Sequence, residues 1–258
     1  QMNKRDEFEK LLSDESKNEH DIQRFIEENT VFAPREFLQN HEVHMDFLIK
    51  KPPLGNEYRA DFLYLSKSSV DWSAVHIEIE DPKKKIFNKD GSFTKAFNDA
   101  VQQVESWMGW LSDSTNHSYF CKTVKAIRVP LESNPVNHKY VLVYGRRTEL
   151  DTEKARRAVA AKKHKDFTVI TYDSLLDNPQ KQLHLVSLVD QKVKVLCECD
   201  LRDSYFDVLN PGDFLVPTAM KARLEDKSQP LDTASLNARS ANPRRAERLK
   251  KLNRLEVY

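Results

Sequence analysis

Two short segments among the first 40 residues carry apolar side chains three and four positions apart, as one face of a helix requires. These side chains are Phe8, Leu11 and Leu12 in the first segment and Ile22, Phe25 and Ile26 in the second. The pattern predicts two amphipathic helices, and the second should begin after Asn18 and end near Asn29.

Glu19 lies at the start of the second predicted helix. At about 100° per residue, its side chain falls on the same side as Ile22 and Ile26, whereas Glu27 and Glu28 point away. Glu19 is therefore either a carboxylate aimed at the protein interior or only a first-turn acid that the helix dipole favours.

After residue 43 the pattern changes from helical to extended. Residues 45–49, 59–65 and 72–80 are predicted strands. Residues 51–56 form a turn-rich connection, and residues 66–71 form a second short one. Short connections of this kind join antiparallel neighbours, so we predict a meander of three strands.

Residues 94–111 carry the clearest helical pattern in the chain, with a broad apolar face that a sheet must cover. The later predicted elements are strands at 122–129 and 139–144, a charged helix at 150–163, a strand at 167–171 and a helix that begins at Asp173. This order predicts an α/β fold in which helices flank a mixed sheet.

Acidic residues on the predicted sheet are the first candidates for chemistry. Alternation along the third strand places His76, Glu78 and Glu80 on one face, and Asp61 lies on the neighbouring strand. Carboxylates from both strands can converge to hold a hard divalent cation such as Mg²⁺. The same alternation is also typical of a half-exposed strand whose acids face solvent.

Gln103 lies among Ala100, Val104 and Trp107 on the apolar face of the 94–111 helix. A buried amide without a partner costs roughly 1–3 kcal/mol, so we expect this side chain to reach a polar group near the sheet. The partner is either a member of the acidic site or a purely structural residue.

Composition narrows the class of protein. The 258 residues are 39% hydrophobic and 31% charged, with a formal net charge of +1, so any contact with nucleic acid must be a local patch. The absence of a long apolar run and of a signal-peptide pattern predicts a soluble, cytoplasmic protein without membrane contact. Cys121, Cys197 and Cys199 form no disulfide framework, and the last two are either isolated thiols or two ligands of a metal site.

The order of these polar residues resembles the PD-(D/E)xK nuclease superfamily. The matching features are Glu19 on a helix, Asp61 on a short extended run, Glu78-Ile79-Glu80 closing a strand, Asp81-Pro82, a lysine-rich turn with Phe87, and Gln103 to Trp107 on a helix. From Glu19 to Leu176 the chain resembles, more narrowly, the Shedu family of bacterial anti-phage defence nucleases. Residues 139–151 and 169–176 are similar to the distal half of that family.

The resemblance implies a restriction-endonuclease-like core and a metal-dependent endonuclease that hydrolyses phosphodiester bonds in DNA. Asp61 and Glu78 would hold Mg²⁺, for which Mn²⁺ can substitute, and Glu19 would complete the acidic shell. Gln103 would orient strand residues or a water. The family also implies a homo-oligomer, either a dimer or a tetramer.

Glu80 departs from the superfamily pattern, because most members have a lysine two residues after the strand acid. Three alternatives follow: Glu80 joins the metal ligands, an ammonium comes from elsewhere, or the protein is a scaffold that binds DNA without cutting it. The candidate lysines are Lys83, Lys84, Lys85 and Lys95. Lys83 to Lys85 are also candidate DNA contacts, and so are Arg146 and Arg147, which otherwise form a solvated loop pair.

Three regions are predicted: a nuclease core with N-terminal helices at 1–180, a C-terminal extension packed on it at 181–220, and a basic tail at 221–258. The tail holds ten basic and five acidic residues. Leu249, Leu252 and Leu255 predict a short helix near its end. The tail is either solvated or a contact for another subunit or for DNA phosphates.

Overall fold

The computed structural model describes residues 3–40, 42–196, 201, 203–228, 247 and 251–258. Contacts divide the chain into two units. The first comprises Gln1–Phe120 and Asn134–Leu183, and the second comprises Cys121–Ser133 and His184–Tyr258. No helix among the described residues is long and apolar enough to span a bilayer.

Among the described residues of the first unit, the strands are β1 (Phe47–Lys50), β2 (Pro53–Leu54), β3 (Tyr58–Arg59), β4 (Phe62–Lys67), β5 (Trp72–Ile79), β6 (Val136–Val143) and β7 (Phe167–Ile170). Five of them are hydrogen-bonded to one another in the order β1-β4-β5-β6-β7, and β2 and β3 form a separate small hairpin. The meander β1-β4-β5 is antiparallel, as predicted. β6 and β7 run parallel to β5, so the sheet is mixed.

Among the described residues, six α-helices accompany these strands. They are α1 (Lys4–Ser13), α2 (Glu19–Glu28), α3 (Lys95–Ser112), α4 (Ser114–Thr123), α5 (Glu153–Ala160) and α6 (Tyr172–Asp177). Asn18 begins α2 through a capping box, and the Thr94 hydroxyl accepts from a backbone N–H to begin α3. The α/β prediction, with helices flanking a mixed sheet, is therefore confirmed.

The strand predicted at residues 122–129 is wrong. α4 continues to Thr123, and turns follow it through residue 127. Phe120, Val124 and Ile127 are buried and recur with helical spacing, so the apolar residues in this segment follow a period near 3.6 and not 2.

The described residues of the second unit form β8 (His184–Val189), β9 (Lys192–Val195), β10 (Phe214–Val216), α7 (Thr218–Ser228) and β11 (Glu256–Val257). Its strands lie in the order β11-β10-β9-β8. β8 and β9 are joined by Asp190 and Gln191, which both have positive φ, as a tight hairpin turn requires. Cys197, Cys199 and most of the predicted basic tail lie outside the described residues.

Candidate active site: an acid cluster at the end of three strands

The register of the antiparallel meander brings charged residues together. It aligns one residue from each of β1, β4 and β5 in rows, and one such row comprises Lys50, Phe62 and Ile77. One position further, the same register aligns Lys51, Asp61 and Glu78. The N–H of Lys51 donates to the Asp61 carbonyl oxygen at 2.8 Å, which continues the pairing to this row.

Asp61 is buried, with 3% of its surface exposed. Its Oδ2 accepts the backbone N–H of Ile79 at 2.9 Å, and its Oδ1 accepts from the ammonium of Lys51. A fixed backbone donor on one oxygen and a charged donor on the other hold the carboxylate in a single orientation.

Glu78 is also buried, and the side-chain amide of Gln103 donates to its Oε1. No donor among the described residues reaches Oε2. Burial is the largest cause, and with the charges of Asp61, Glu80 and Glu19 it raises the pKa of Glu78 to about 10. At neutral pH, Glu78 therefore keeps a proton.

Glu80 lies two residues beyond Glu78 and is 8% exposed. Its carboxylate accepts from the ammonium of Lys84, and its backbone carbonyl accepts from the Tyr172 hydroxyl. Burial lowers the pKa of Lys84, but the hydrogen bond and charge of Glu80 outweigh burial and hold that pKa above its usual value. Every residue of β5 is buried, and so is Glu80, which follows it. This excludes the alternative that the strand is half-exposed with its acids facing solvent.

Glu19 is the first residue of α2. Phe25 of the same helix stacks on Phe8 of α1 with ring centroids 4.9 Å apart, which fixes this helix pair. Burial and the charges of Glu80 and Asp61 raise the pKa of Glu19 to about 6, and Lys84 and Lys51 oppose this effect. Glu19 is thus a first-turn acid that also faces the sheet carboxylates.

We call Asp61, Glu78, Glu80 and Glu19 the acid cluster. Its four carboxyl groups outnumber the two ammonium groups that contact them, those of Lys51 and Lys84. Within the described part of the chain, no three His, Cys, Asp or Glu side chains form a ready metal-binding group. The oxygen-rich donors and the Glu78 Oε2 atom without a donor nevertheless fit a hard divalent cation.

Three of the four candidate lysines do not contact the acid cluster in the described part of the chain. The Lys95 ammonium pairs with Asp99 at 2.8 Å, and its side chain is 89% exposed. Lys83 donates to backbone carbonyls in the loop between α1 and α2, so it supports the position of Glu19. Lys85 is exposed. Among the predicted lysines, therefore, the structure brings Lys84 to the acid cluster.

Arg146 and Arg147 are engaged by acids. The guanidinium of Arg146 binds Asp173 at 3.0 Å and Glu9 at 2.7 Å, and the guanidinium of Arg147 pairs with Asp177. Arg146 therefore joins α1 to α6. Arg147 is the more exposed of the two.

Sequence reasoning missed Lys51, which contacts Asp61 directly. The signal that could have found it was the meander register, because the residue that follows β1 must lie beside the residue that precedes β4. The prediction assigned Lys51 to a turn and did not extend the pairing to it. Its backbone has φ of +46°, which ends β1 at this point.

A chain of three histidines lies on the Glu78 face of β5. His76 Nε2 is 3.0 Å from His138 Nδ1, and His138 Nε2 is 3.0 Å from His117 Nδ1. Burial and the charge of His138 lower the pKa of His76. Burial and the charge of His117 lower the pKa of His138 to about 3. His76 and His138 are therefore neutral at physiological pH.

Comparison with known proteins adds one finding. A family model described as "Shedu protein SduA, C-terminal" matches residues 16–176, which is more than half of the chain and includes the entire acid cluster. No curated protein matches the chain. The resemblance to the Shedu family is thus confirmed, and the chain belongs to that family.

Proposed function

We propose that this protein is a metal-dependent DNA endonuclease that acts in defence against phage. Membership of the Shedu family suggests anti-phage defence. The observation that supports nuclease chemistry is the convergence of buried carboxylates and two lysines at the end of adjacent strands. Carboxylates suit a divalent cation, and ammonium groups suit a phosphodiester.

Asp61 and Glu78 would hold Mg²⁺, with Glu19 in the surrounding shell, and Mn²⁺ would substitute. The bound cation would polarise the scissile phosphate and lower the pKa of the attacking water. Glu78 must lose its proton to act as a ligand, and Lys51 must give up its place on Asp61. Gln103 keeps Glu78 oriented through its hydrogen bond to Oε1.

Lys51 and Lys84 are the proposed sources of the ammonium that the superfamily usually places two residues after the strand acid. Lys51 contacts Asp61, and Lys84 contacts Glu80, which occupies the usual lysine position. An ammonium in this setting stabilises negative charge on the phosphate and can hydrogen-bond the attacking water. Glu80 holds Lys84 at the acid cluster and is itself a candidate ligand.

The test is cleavage of supercoiled and linear duplex DNA with Mg²⁺, Mn²⁺ or EDTA. We expect the wild type to cut with either metal, and Asp61→Asn and Glu78→Gln to lose at least about a hundredfold in rate. Asp99→Asn is the matched control, because Asp99 is an exposed acid on α3. Wild-type rates in both cluster variants would contradict the proposal.

The second candidate is a DNA-binding scaffold that keeps the fold without cutting. Two observations favour it: Glu80 replaces the usual lysine, and lysines already occupy Asp61 and Glu80. Gel retardation of duplex DNA in EDTA, without cleavage when Mg²⁺ or Mn²⁺ is added, would support this candidate. The candidate phosphate contacts are then Lys83, Lys84, Lys85, Arg146 and Arg147, of which Lys85 is exposed.

Self-assembly into a dimer or tetramer is a further part of the proposal, and it rests on family membership. Light scattering coupled to size-exclusion chromatography measures the assembly directly. A monomer at all concentrations would contradict it.

A further inference from the structure

A cavity of about 380 Å³ lies in the first unit, apart from the acid cluster. Its floor includes Ile86, Val159 and Ile170, which are buried aliphatic side chains. Its volume is within the range of small-molecule sites, which are mostly apolar with a few placed polar groups. A cavity of this volume, with aliphatic side chains in its lining, has room for a ring system.

Three cationic side chains line the same cavity: Arg147, Arg156 and Lys163. Asp177 offsets the charge of Arg147. The guanidinium of Arg156 instead donates to the backbone carbonyl oxygens of Leu150 and Asp151, at 2.9 and 2.8 Å. These neutral acceptors orient the guanidinium, and no acid in the described part of the chain forms an ion pair with it.

Lys163 is exposed and forms no ion pair with any residue in the described part of the chain. Together with Arg156, it gives the cavity two uncompensated positive charges. A phosphate monoester carries close to two negative charges at neutral pH. Arginine also binds phosphate oxygens in a bidentate manner, which a single lysine cannot do.

Two hydroxyl groups complete the lining, those of Thr171 and Ser174. Thr171 precedes α6, yet its side chain makes no capping hydrogen bond. Because its hydroxyl also forms no hydrogen bond with any other residue that the structure describes, it is available to a ligand. Hydroxyl groups beside an aliphatic floor suit a ring with a polar edge, whereas an acyl chain would leave them without partners.

We propose that this cavity binds a nucleoside phosphate, with the base on the aliphatic floor and the phosphate at Arg156 and Lys163. Thr171 directly follows β7, as Glu80 directly follows β5, and β6 lies between these parallel strands. The cavity and the acid cluster thus share one edge of the sheet, roughly 10 Å apart at two strand spacings. Parallel strands commonly bind ligands at this edge.

Isothermal titration with AMP tests the proposal, with adenosine and inorganic phosphate as partial ligands. We expect AMP to bind at least tenfold more tightly than either partial ligand, because each supplies only one half of the recognised chemistry. Adenosine or phosphate binding as tightly as AMP would overturn the proposal. No detectable binding of AMP or of a phosphorylated oligonucleotide would overturn it as well.

The matched variants are Arg156→Gln and Arg157→Gln on α5. Arg157 is 80% exposed and pairs with Glu153, and it does not line the cavity. We expect Arg156→Gln to weaken AMP binding at least tenfold and Arg157→Gln to change it less than twofold. Equal loss in both variants would indicate a non-specific charge effect and overturn the assignment.

A 5′-phosphorylated oligoadenylate distinguishes a free nucleotide from the end of a strand. Binding of AMP alone supports the free nucleotide, and preference for the oligonucleotide supports a strand end, so either result supports a nucleoside phosphate site. The titration is repeated in Asp61→Asn, which lacks a proposed metal ligand. Unchanged AMP affinity in Asp61→Asn would show that AMP binding does not depend on the proposed nuclease site. Loss of affinity in this variant would contradict a separate nucleoside phosphate site.

Discussion

The amide of Gln103 on α3 donates a hydrogen bond to one carboxylate oxygen of Glu78 on β5, and the other oxygen has no donor among the described residues. α3 is therefore joined to the acid cluster by a polar contact within an apolar interface. A half-satisfied buried carboxyl group costs stability, so this contact indicates a site arranged for something other than stability alone.

Glu78→Gln should stabilise the metal-free protein. Glu78 has a pKa of about 10 in the fold against an ordinary value of 4.5, so the folded state retains a proton that the unfolded state loses. Stability therefore falls as pH rises above 4.5, and the substitution removes this loss. We expect an increase of about 1–3 kcal/mol at pH 7 in EDTA, measured by urea unfolding. Decreased stability would show that the carboxyl group has a structural role.

Lys51→Met should destabilise the protein, because it leaves the buried carboxylate of Asp61 without its ammonium partner. Lys50→Met is the matched control, since Lys50 pairs with Glu27 and has a similarly exposed side chain. We expect a loss of about 1–3 kcal/mol for Lys51→Met, about 1 kcal/mol or less for Lys50→Met, and loss of DNA cleavage only in the former. Equal effects on stability and cleavage would argue against a special role for Lys51.

Mg²⁺ should raise the melting temperature of the wild type, because a ligand that binds only the folded state stabilises it. Glu19 has a pKa of about 6, so it is mostly protonated at pH 5 and ionised at pH 7.5. The shift should therefore be larger at pH 7.5. Asp61→Asn should abolish it, and Glu19→Gln should reduce it at pH 7.5. An unchanged shift in Asp61→Asn would place the bound metal elsewhere.

Substitution of Glu80 tests whether this residue is a metal ligand or has no part in the site. If it is a ligand, Glu80→Lys should recreate the usual superfamily pattern and retain metal-dependent cleavage, whereas Glu80→Ala should weaken the response to Mg²⁺. Cleavage rate against Mg²⁺ and Mn²⁺ concentration measures both. Curves like the wild type in both variants would remove Glu80 from the site and leave Lys51 as the principal ammonium.

The chain of three histidines should make the folded protein less stable as pH falls. The pKa of His138 is about 3 in the fold against an ordinary value of 6.5, so below pH 6.5 the unfolded state binds a proton that the folded state does not. Stability is therefore lost as pH falls, by about 2 kcal/mol between pH 7 and pH 5 for this group. Urea unfolding of His138→Gln should show a shallower pH dependence than the wild type. His164→Gln, at an exposed position outside the histidine chain, is the control for the loss of a histidine.

The positions of the acidic residues could be predicted from the sequence because they follow from local rules. Alternation places Glu78 and Glu80 on one face of a strand, and helical periodicity turns Glu19 inward. These are local rules that hold wherever the element forms, as the capped bounds of α2 and α3 illustrate. The prediction of a strand at 122–129 was wrong because eight residues with few apolar positions fit the period of a helix as well as that of a strand.

By itself the sequence determined the order of the elements from α1 to α6 except at residues 114–129, where α4 stands in place of a predicted strand. It also determined the antiparallel meander, the position of Asp61 and Glu78 on neighbouring strands, and the family resemblance. Only the tertiary structure decided that β5 is buried on both faces, and that Lys51 and Lys84, rather than Lys95, contact the acids. The physical reason is that periodicity assigns a side chain to a face, whereas its partners and its desolvation depend on what packs against that face. Those contacts determine whether Glu78 is protonated and how much negative charge the acid cluster offers to a cation.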